Sequence, residues 1–416
     1  MERDRYRREL ARTDPDFVVY VPRSEEGRDA ENQHFLVVPT LTGDFLAFWT
    51  QASWEASADQ RVVVSRSADR GESWSNPREI DGPSEEDPEG TGLASWGFPF
   101  VPPEEERIYC FYNKNVGTGD VRGADTGRLH FRYSDDDGRT WSEETPDLPL
   151  GGAALDHPDP EVPPTWITYQ KPVVTPGGAV LAGFTRWASN AYHPTSKNAF
   201  ERESEIWFLR FENLLAAPDP EELRVTTWPE GRHGLRVPHP GDPEISVAQE
   251  PAIQPLSDGR LICLMRTLKG MIYYSLSVDD GKSWSKPRIL RYGREGEPLL
   301  NPIAPCPIYR LEDGRFLLFF YNNDGRANGG WGAGDYKRNR TPLYYSLGRE
   351  KEGAGQPLEF DFPRYLLGSD GVSVGPMGRT EVATYPSFFE YEGEAYFWYP
   401  DRKHFLLGKR MTDLLY

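Results

Sequence analysis

Apolar and polar positions alternate along this chain in short bursts rather than in helical stripes. Six times an apolar run of strand length meets a tight polar turn and then a second apolar run. The six are HFLVVPTLTGDFLAFWTQ, FPFVPPEEERIYCFYNK, YQKPVVTPGGAVLAGFTR, EPAIQPLSDGRLICLMR, PCPIYRLEDGRFLLFFYNN and YPSFFEYEGEAYFWYPDR. Each reads as a β-hairpin, because Gly, Asp, Glu and Pro between β-branched or aromatic runs are turn chemistry. The turns fall near residues 43, 105, 177, 259, 314 and 393, at intervals that hold four antiparallel strands and their connections. Radial repetition of four-stranded sheets disposes of exposed sheet edges. The pattern therefore predicts an all-β, six-bladed β-propeller with four-stranded antiparallel blades. It spans 1–416 as a single domain, with residues 1–30 closing or capping the ring.

A second repeat supports this register. The octapeptide S-x-D-x-G-x-[ST]-W occurs at Ser67–Trp74, Ser134–Trp141 and Ser277–Trp284, each time after a strand-like run. It suits a hairpin corner in which Asp bonds turn amides, Gly takes a positive φ and Trp packs the turn onto its neighbour. The third, fifth and sixth blades lack a clean copy, and PLYYSLG at 342–348 is a degenerate start of one.

Composition agrees with a β-rich globule: 416 residues carry 12 Trp, 21 Tyr and 21 Phe with 40 Gly and 37 Pro. The formal net charge of −18 repels nucleic acid and anionic membranes, so neither is an expected partner. Cys110, Cys263 and Cys306 lie in apolar runs without C-x-x-C spacing, which reads as buried thiols rather than a disulfide framework or a zinc site. The N-terminal stretch has no apolar signal core and no long apolar run occurs, so a soluble chain is expected, cytoplasmic or secreted with its signal removed. No cofactor and no metal are called for.

Hairpin geometry sorts residues toward a site without further assumptions. In a blade the first strand lines the channel and the second runs back, so the start of one and the end of the other share a rim, opposite the hairpin turns and the octapeptides. That rim receives His34 with Gln51, Trp96 with Asn113, Tyr169 with Arg186, Glu250 with Arg266, Asn301 with Asn322, and Tyr385 with Asp401 or Arg402. Loops between second and third strands add Glu55, Asp59, Arg326, Arg338 and Arg340. Such polar groups must be satisfied by one another, by water or by a ligand.

The octapeptides and the segment QEPAIQPLSDGRLICLMRTLKG resemble the sialidase (neuraminidase) superfamily, whose octapeptide is the Asp box or BNR repeat, and the resemblance covers nearly the whole chain. It implies a carbohydrate substrate bearing a carboxylate. It also implies Glu250 as the catalytic glutamate, Arg266 as one of three arginines clamping that carboxylate, and Arg338, or its rival Arg340, as a second. Tyr385 would be the nucleophile activated by Glu250, and the general acid would be Asp59, with Glu55 as competitor. The chemistry is consistent: a phenol with an ordinary pKa near ~10 needs a base to attack, and guanidinium matches carboxylate bidentately.

One departure is plain. Sialidases open their first blade with Arg-Ile-Pro, whereas this chain reads NQHFLVVPT, with His34 in place of the third clamp arginine. A mouth with His, Tyr and Arg also resembles enzymes acting on uronate-containing polysaccharides, such as ulvan lyases and rhamnosyl-glucuronate hydrolases, with Tyr169 and Arg186 as their pair. The expected function is an exo-glycosidase removing a terminal α-linked acidic sugar. The alternatives are a uronate lyase or rhamnosyl-glucuronate hydrolase using His34, and a glycan-binding propeller without catalysis.

Overall fold

The computed structural model describes residues 2–84, 91–192, 201–353 and 355–416. Among them the strands form six antiparallel sheets in chain order around a ring. Blade 1 is built from Glu31–Pro39, Phe45–Ala52, Arg61–Ser67 and Arg78–Asp81. Blade 2 follows with Ala94–Phe100, Ile108–Lys114 and Arg128–Ser134, its outer edge reduced to a bridge between Leu129 and Leu148. In blade 3 the inner strand is split into Thr165–Ile167 and Val173–Val174, both paired with Val180–Trp187. Blade 4 opens on Ala248–Pro255 and Leu261–Thr267, and blade 5 on Ile308–Arg310 and Phe316–Phe320. Blade 6 combines Ser387–Tyr391, Glu394–Asp401 and Phe405–Arg410 with Phe17–Tyr20, so the two ends of the chain share one sheet. All six hairpins of the sequence pattern are present. Among the described residues no helix is long and apolar enough to cross a membrane.

The three octapeptides are turns that follow the third strands of blades 1, 2 and 4 and lead to the outer edge of each blade. In the last of them Asp279 accepts from the Ser283 amide at 2.8 Å and from the hydroxyls of Ser277 at 2.9 Å and Ser283 at 2.5 Å. Gly281 has φ +86°, and a Cβ there would lie 2.7 Å from Leu181 of the preceding blade, so both backbone and packing require glycine. Trp284 stacks on Phe208 of that same blade, with ring centroids 4.3 Å apart. The residue after the box Asp reaches the neighbouring hairpin turn: the Gly177 amide donates to Asp280 at 2.9 Å. Boxes and hairpin turns therefore lie on one rim, and the register Gln51↔Arg61 puts the ends of the second strands on the other. The three cysteines are buried free thiols.

One irregularity recurs where the first strands reach that other rim. In blades 1, 2 and 4 the register slips by one residue between Gln33 and Leu36, between Ser95 and Phe98, and between Gln249 and Ala252. The extra residue follows a non-glycine left-handed backbone at His34 (φ 58°), Trp96 (φ 60°) and Glu250 (φ 52°). Tyr385, just ahead of the first strand of blade 6, has φ 68°. A bulge of this kind re-aims a side chain out of the strand's two-fold alternation. The strained backbone is held from the preceding blade: the Trp96 amide donates to Thr50 Oγ1 at 3.0 Å and the Glu250 amide to Thr185 Oγ1 at 2.7 Å.

Replacing Thr185 by Val keeps the shape and leaves the buried Glu250 N–H unpaired. Urea unfolding should show a loss of about 1–3 kcal/mol, restored by Thr185→Ser. An unchanged midpoint would mean that the threonine does not hold the bulge.

Candidate active site

The bulged residues converge. Tyr385 Oη donates to Glu250 Oε1 at 2.7 Å, and Arg266 Nη1 lies 2.7 Å from the same oxygen. Arg266 is fixed from behind, donating through Nε and Nη2 to Gln249 Oε1 at 3.1 and 2.8 Å. The Tyr385 ring sits among Trp96, Tyr169 and His34, with centroids 5.6, 5.9 and 6.4 Å away. Burial and the Glu250 charge push the Tyr385 phenol up, against a smaller downward pull from Arg266 and Arg340. The phenol is thus protonated, and its one short acceptor is a carboxylate.

Several polar atoms around this pair are buried without a hydrogen-bond partner among the described residues: Glu250 Oε2, Tyr169 Oη and both ring nitrogens of His34. Burial drives the His34 pKa down to about 3, so its imidazole is neutral at physiological pH. Polar groups at this depth are ordinarily satisfied, and a cluster of unsatisfied ones around one buried phenol is what a ligand site leaves.

Near this cluster lies an ionic cavity of about 350 Å³ lined by Glu55, Arg122, Tyr336, Lys337, Met377, Gly378, Arg379, Thr380 and Glu381. Arg379 donates to Glu381 Oε1 at 2.8 Å, approaches Glu31 at 3.3 Å and pairs with Glu55. Lys403 lies 3.2 Å from Glu55 and 5.4 Å above the Tyr385 ring. Arg340 donates to Glu381 Oε2 at 3.0 Å and to the Ile303 carbonyl at 2.6 Å. Burial raises Glu381, but Lys403, Arg379 and Arg340 outweigh it and hold the carboxyl at about 2. Glu31, more deeply enclosed, is pushed upward by burial.

The structure thus brings together Tyr385, Glu250, Arg266, Arg340, Glu55, His34 and Tyr169. Three expected residues lie elsewhere. Arg338 is half exposed, 3.5 Å from Asp335 and stacked 5.0 Å over Trp331, because the short helix Tyr336–Asn339 turns it outward. Asp59 is consumed by its own loop, accepting from the Ser53 amide at 3.1 Å and the Ser53 hydroxyl at 2.6 Å and from Ser57. Arg186 turns onto Phe184 and Trp207 and binds Asp156 at 3.1 Å and the Gly151 carbonyl at 2.7 Å. Its partner strand is Thr165–Ile167, which has no bulge, so regular alternation sends Trp187 rather than Arg186 to the Tyr385 cluster.

Sequence reasoning missed Arg379, Glu381, Lys403, Glu31 and Arg122. Arg379 and Glu381 sit six and four residues before Tyr385 in RTEVATY, the spacing of one face of an extended segment. Arg122 occupies the blade 2 loop equivalent to the blade 1 loop that carries Glu55.

No curated protein sequence matches the chain. Among solved structures, the Hadza microbial sialidase Hz136 superposes with a TM-score of 0.60 at 14% identity, covering 93% of this chain and 67% of that one. The Streptococcus pneumoniae NanB sialidase gives 0.60 at 11%, over 95% and 70%. The Ruminococcus gnavus intramolecular trans-sialidase gives 0.58 at 13%, over 94% and 96%. At these identities the likeness is one of fold. The BNR repeat-like domain model matches residues 43–354, so the chain, with its three boxes on the rim away from Tyr385, belongs to the BNR repeat-like family of sialidase-like propellers.

Proposed function

We propose that this propeller is a retaining glycoside hydrolase acting on a terminal sugar that bears a carboxylate. The observation that carries the reading is the hydrogen bond of 2.7 Å from Tyr385 to Glu250, in a chamber faced by Arg266 and Arg340. A buried phenol pushed above its ordinary pKa is inert until a base removes its proton, and Glu250 is placed to do so. Tyr385 Oη attacks the anomeric carbon while its proton passes to Glu250. The bond to the leaving oxygen breaks as a carboxylic acid protonates that oxygen. Glu55 fills the last role, because it lines the cavity while Asp59 is held in its own loop. In the second half-reaction the Glu55 carboxylate takes a proton from water, the hydroxide attacks the anomeric carbon, and Tyr385 leaves and recovers its proton from Glu250. Using Tyr in place of a carboxylate is a known variant of the two-carboxylate scheme. It removes one negative charge from the path of an anionic substrate.

A second reading rests on His34, a neutral imidazole whose ring centroid lies 6.4 Å from that of Tyr385 and whose nitrogens have no hydrogen-bond partner among the described residues. In it His34 or Tyr169 moves a proton adjacent to a uronate carboxylate, which ends in elimination. Its arginine partner is absent from the chamber, since Arg186 faces Asp156.

Screening sialosides, aryl uronides and ulvan-type polymers separates these readings by product. Hydrolysis releases a reducing sugar with retained anomeric configuration, elimination gives an ultraviolet-absorbing unsaturated sugar, and a binding module gives neither. With the active substrate, Tyr385→Phe should lower kcat by at least about 10³-fold, whereas His34→Ala should cost about tenfold or less. The reverse order would establish elimination.

Arg340→Ala should lower kcat/KM by about 10- to 100-fold, the loss of one charge-assisted hydrogen bond to substrate. Arg338→Ala should leave kcat/KM within about twofold, as expected for an exposed pair. Equal effects would return Arg338 to the substrate site.

A further inference from the structure

We infer that Arg379 and Lys403 form the recognition site for the substrate carboxylate, that Glu55 holds this site as an internal stand-in, and that displaced Glu55 takes up a proton and becomes the acid that protonates the leaving group. The inference rests on the acidic-glycoside reading and places that carboxylate at Arg379 and Lys403 rather than at Arg266 and Arg340, which pair with Glu250 and Glu381.

The two cations are anchored and the acid is not equally so. Arg379 comes from the connection between blades 5 and 6 and Lys403 from the turn before the third strand of blade 6. Their side chains are 9% and 2% exposed. Glu381 and Glu31 hold Arg379 at 2.8 and 3.3 Å, and Glu381 also stands 3.8 Å from Lys403. Glu381 is itself fixed by Arg340 and by the Thr384 hydroxyl at 3.1 Å. Glu55 instead projects from the loop 53–60 between second and third strands, is 21% exposed and forms part of the cavity wall. Its carboxylate meets Arg379 through one oxygen and Lys403 through the other. A carboxylate is thus already seated between two fixed cations, beside the Tyr385 ring over which Lys403 lies. A sugar carboxylate entering this cavity meets Arg379 in its wall and reaches Lys403 where Glu55 moves aside.

Exchange changes the proton affinity of Glu55. The charged and titratable groups facing it are Arg379 and Lys403, Arg122 from the blade 2 loop, and Glu31, Glu381 and Tyr385. Burial raises its pKa, but Arg379, Lys403 and Arg122 outweigh burial and hold it well below the usual carboxylate range. When another carboxylate takes the two anchored cations, Arg122 alone of the three still pulls downward, while burial and the neighbouring acids push upward. The balance is one carboxylate bound and one proton taken from solvent, so the chamber's net charge is unchanged. The proton then goes to the leaving oxygen. This accounts for an acid loop whose glutamate is ionised at rest, and for the loss of the first-blade arginine at His34.

The test uses Tyr385→Phe, which blocks turnover, titrated calorimetrically with N-acetylneuraminic acid, glucuronic acid and their methyl esters in buffers of different ionisation enthalpy. One acid sugar should bind with uptake approaching one proton near neutral pH, and its ester at least tenfold more weakly without uptake. Adding Glu55→Gln should tighten acid binding and abolish uptake, while adding Arg379→Ala should erase the preference for acid over ester. Acid binding without uptake, or uptake unchanged by Glu55→Gln, overturns the exchange and leaves the acidic-substrate reading intact. Esters binding as well as acids, or no binding of either acid even with Glu55→Gln, overturns both.

Discussion

A strand that lines a propeller channel alternates its side chains between the two faces of its blade, and neither face looks along the axis. To aim a side chain at the mouth the strand must break alternation, and this chain does so with a left-handed residue and one extra position. Left-handed backbone costs a non-glycine residue about 1–2 kcal/mol. The chain accepts that cost at His34, Trp96, Glu250 and Tyr385, residues from four blades. Interlocking contacts maintain it: Thr50 and Thr185 take the bulged amides, and the Phe35 amide donates to the Tyr385 carbonyl at 3.2 Å. Strain at four residues that cluster around one buried phenol points to function. Everything at the mouth depends on the ring keeping these strands in register, which the shared first-and-last sheet and the box-to-hairpin contacts on the far rim provide.

Two electrical environments meet in this site. Around Tyr385 and Glu250 the walls are aromatic, and a single carboxylate and arginine face a phenol whose burial opposes ionisation. A few ångströms outward, Arg379, Lys403, Arg340 and Arg122 alternate with Glu55, Glu381 and Glu31. Buried ion pairs of this kind contribute little net stability, because desolvation offsets attraction. Their consequence is sensitivity: adding one charge forces another to move or to take a proton. The carboxylate of the proposed substrate is such a charge, and it would meet a molecule whose net charge of −18 repels it. Local cations, unscreened in the cavity, overcome that field at short range.

Most of the fold was legible because its repeats are local. A hairpin turn such as SDG at 257–259 or an Asp box records its own geometry in consecutive residues. The rim rule carried Glu250, Arg266, Tyr385 and His34 to one place because it needs only strand direction. It failed for Arg186, where an unbulged inner strand in blade 3 reverses which side faces the chamber, a parity that no local signal announces. The sialidase resemblance put Asp59 ahead of Glu55, although both lie in one loop, because the Ser53 and Ser57 bonds that consume Asp59 appear only after folding. Arg379 and Lys403 escaped because connections between blades carry no periodicity, and their importance comes from partners hundreds of residues away, such as Glu31 and Glu55.

The central claim is that Tyr385 becomes the glycosyl carrier. Incubation with a fluorinated acidic glycosyl fluoride, which slows breakdown of a glycosyl-enzyme, followed by proteolysis and mass spectrometry, tests it directly. The account predicts one glycosyl group on the peptide containing Tyr385, absent from Tyr385→Phe and slow to form in Glu250→Gln. An adduct on another residue, or turnover of the natural linkage with inverted configuration and no adduct, would contradict it.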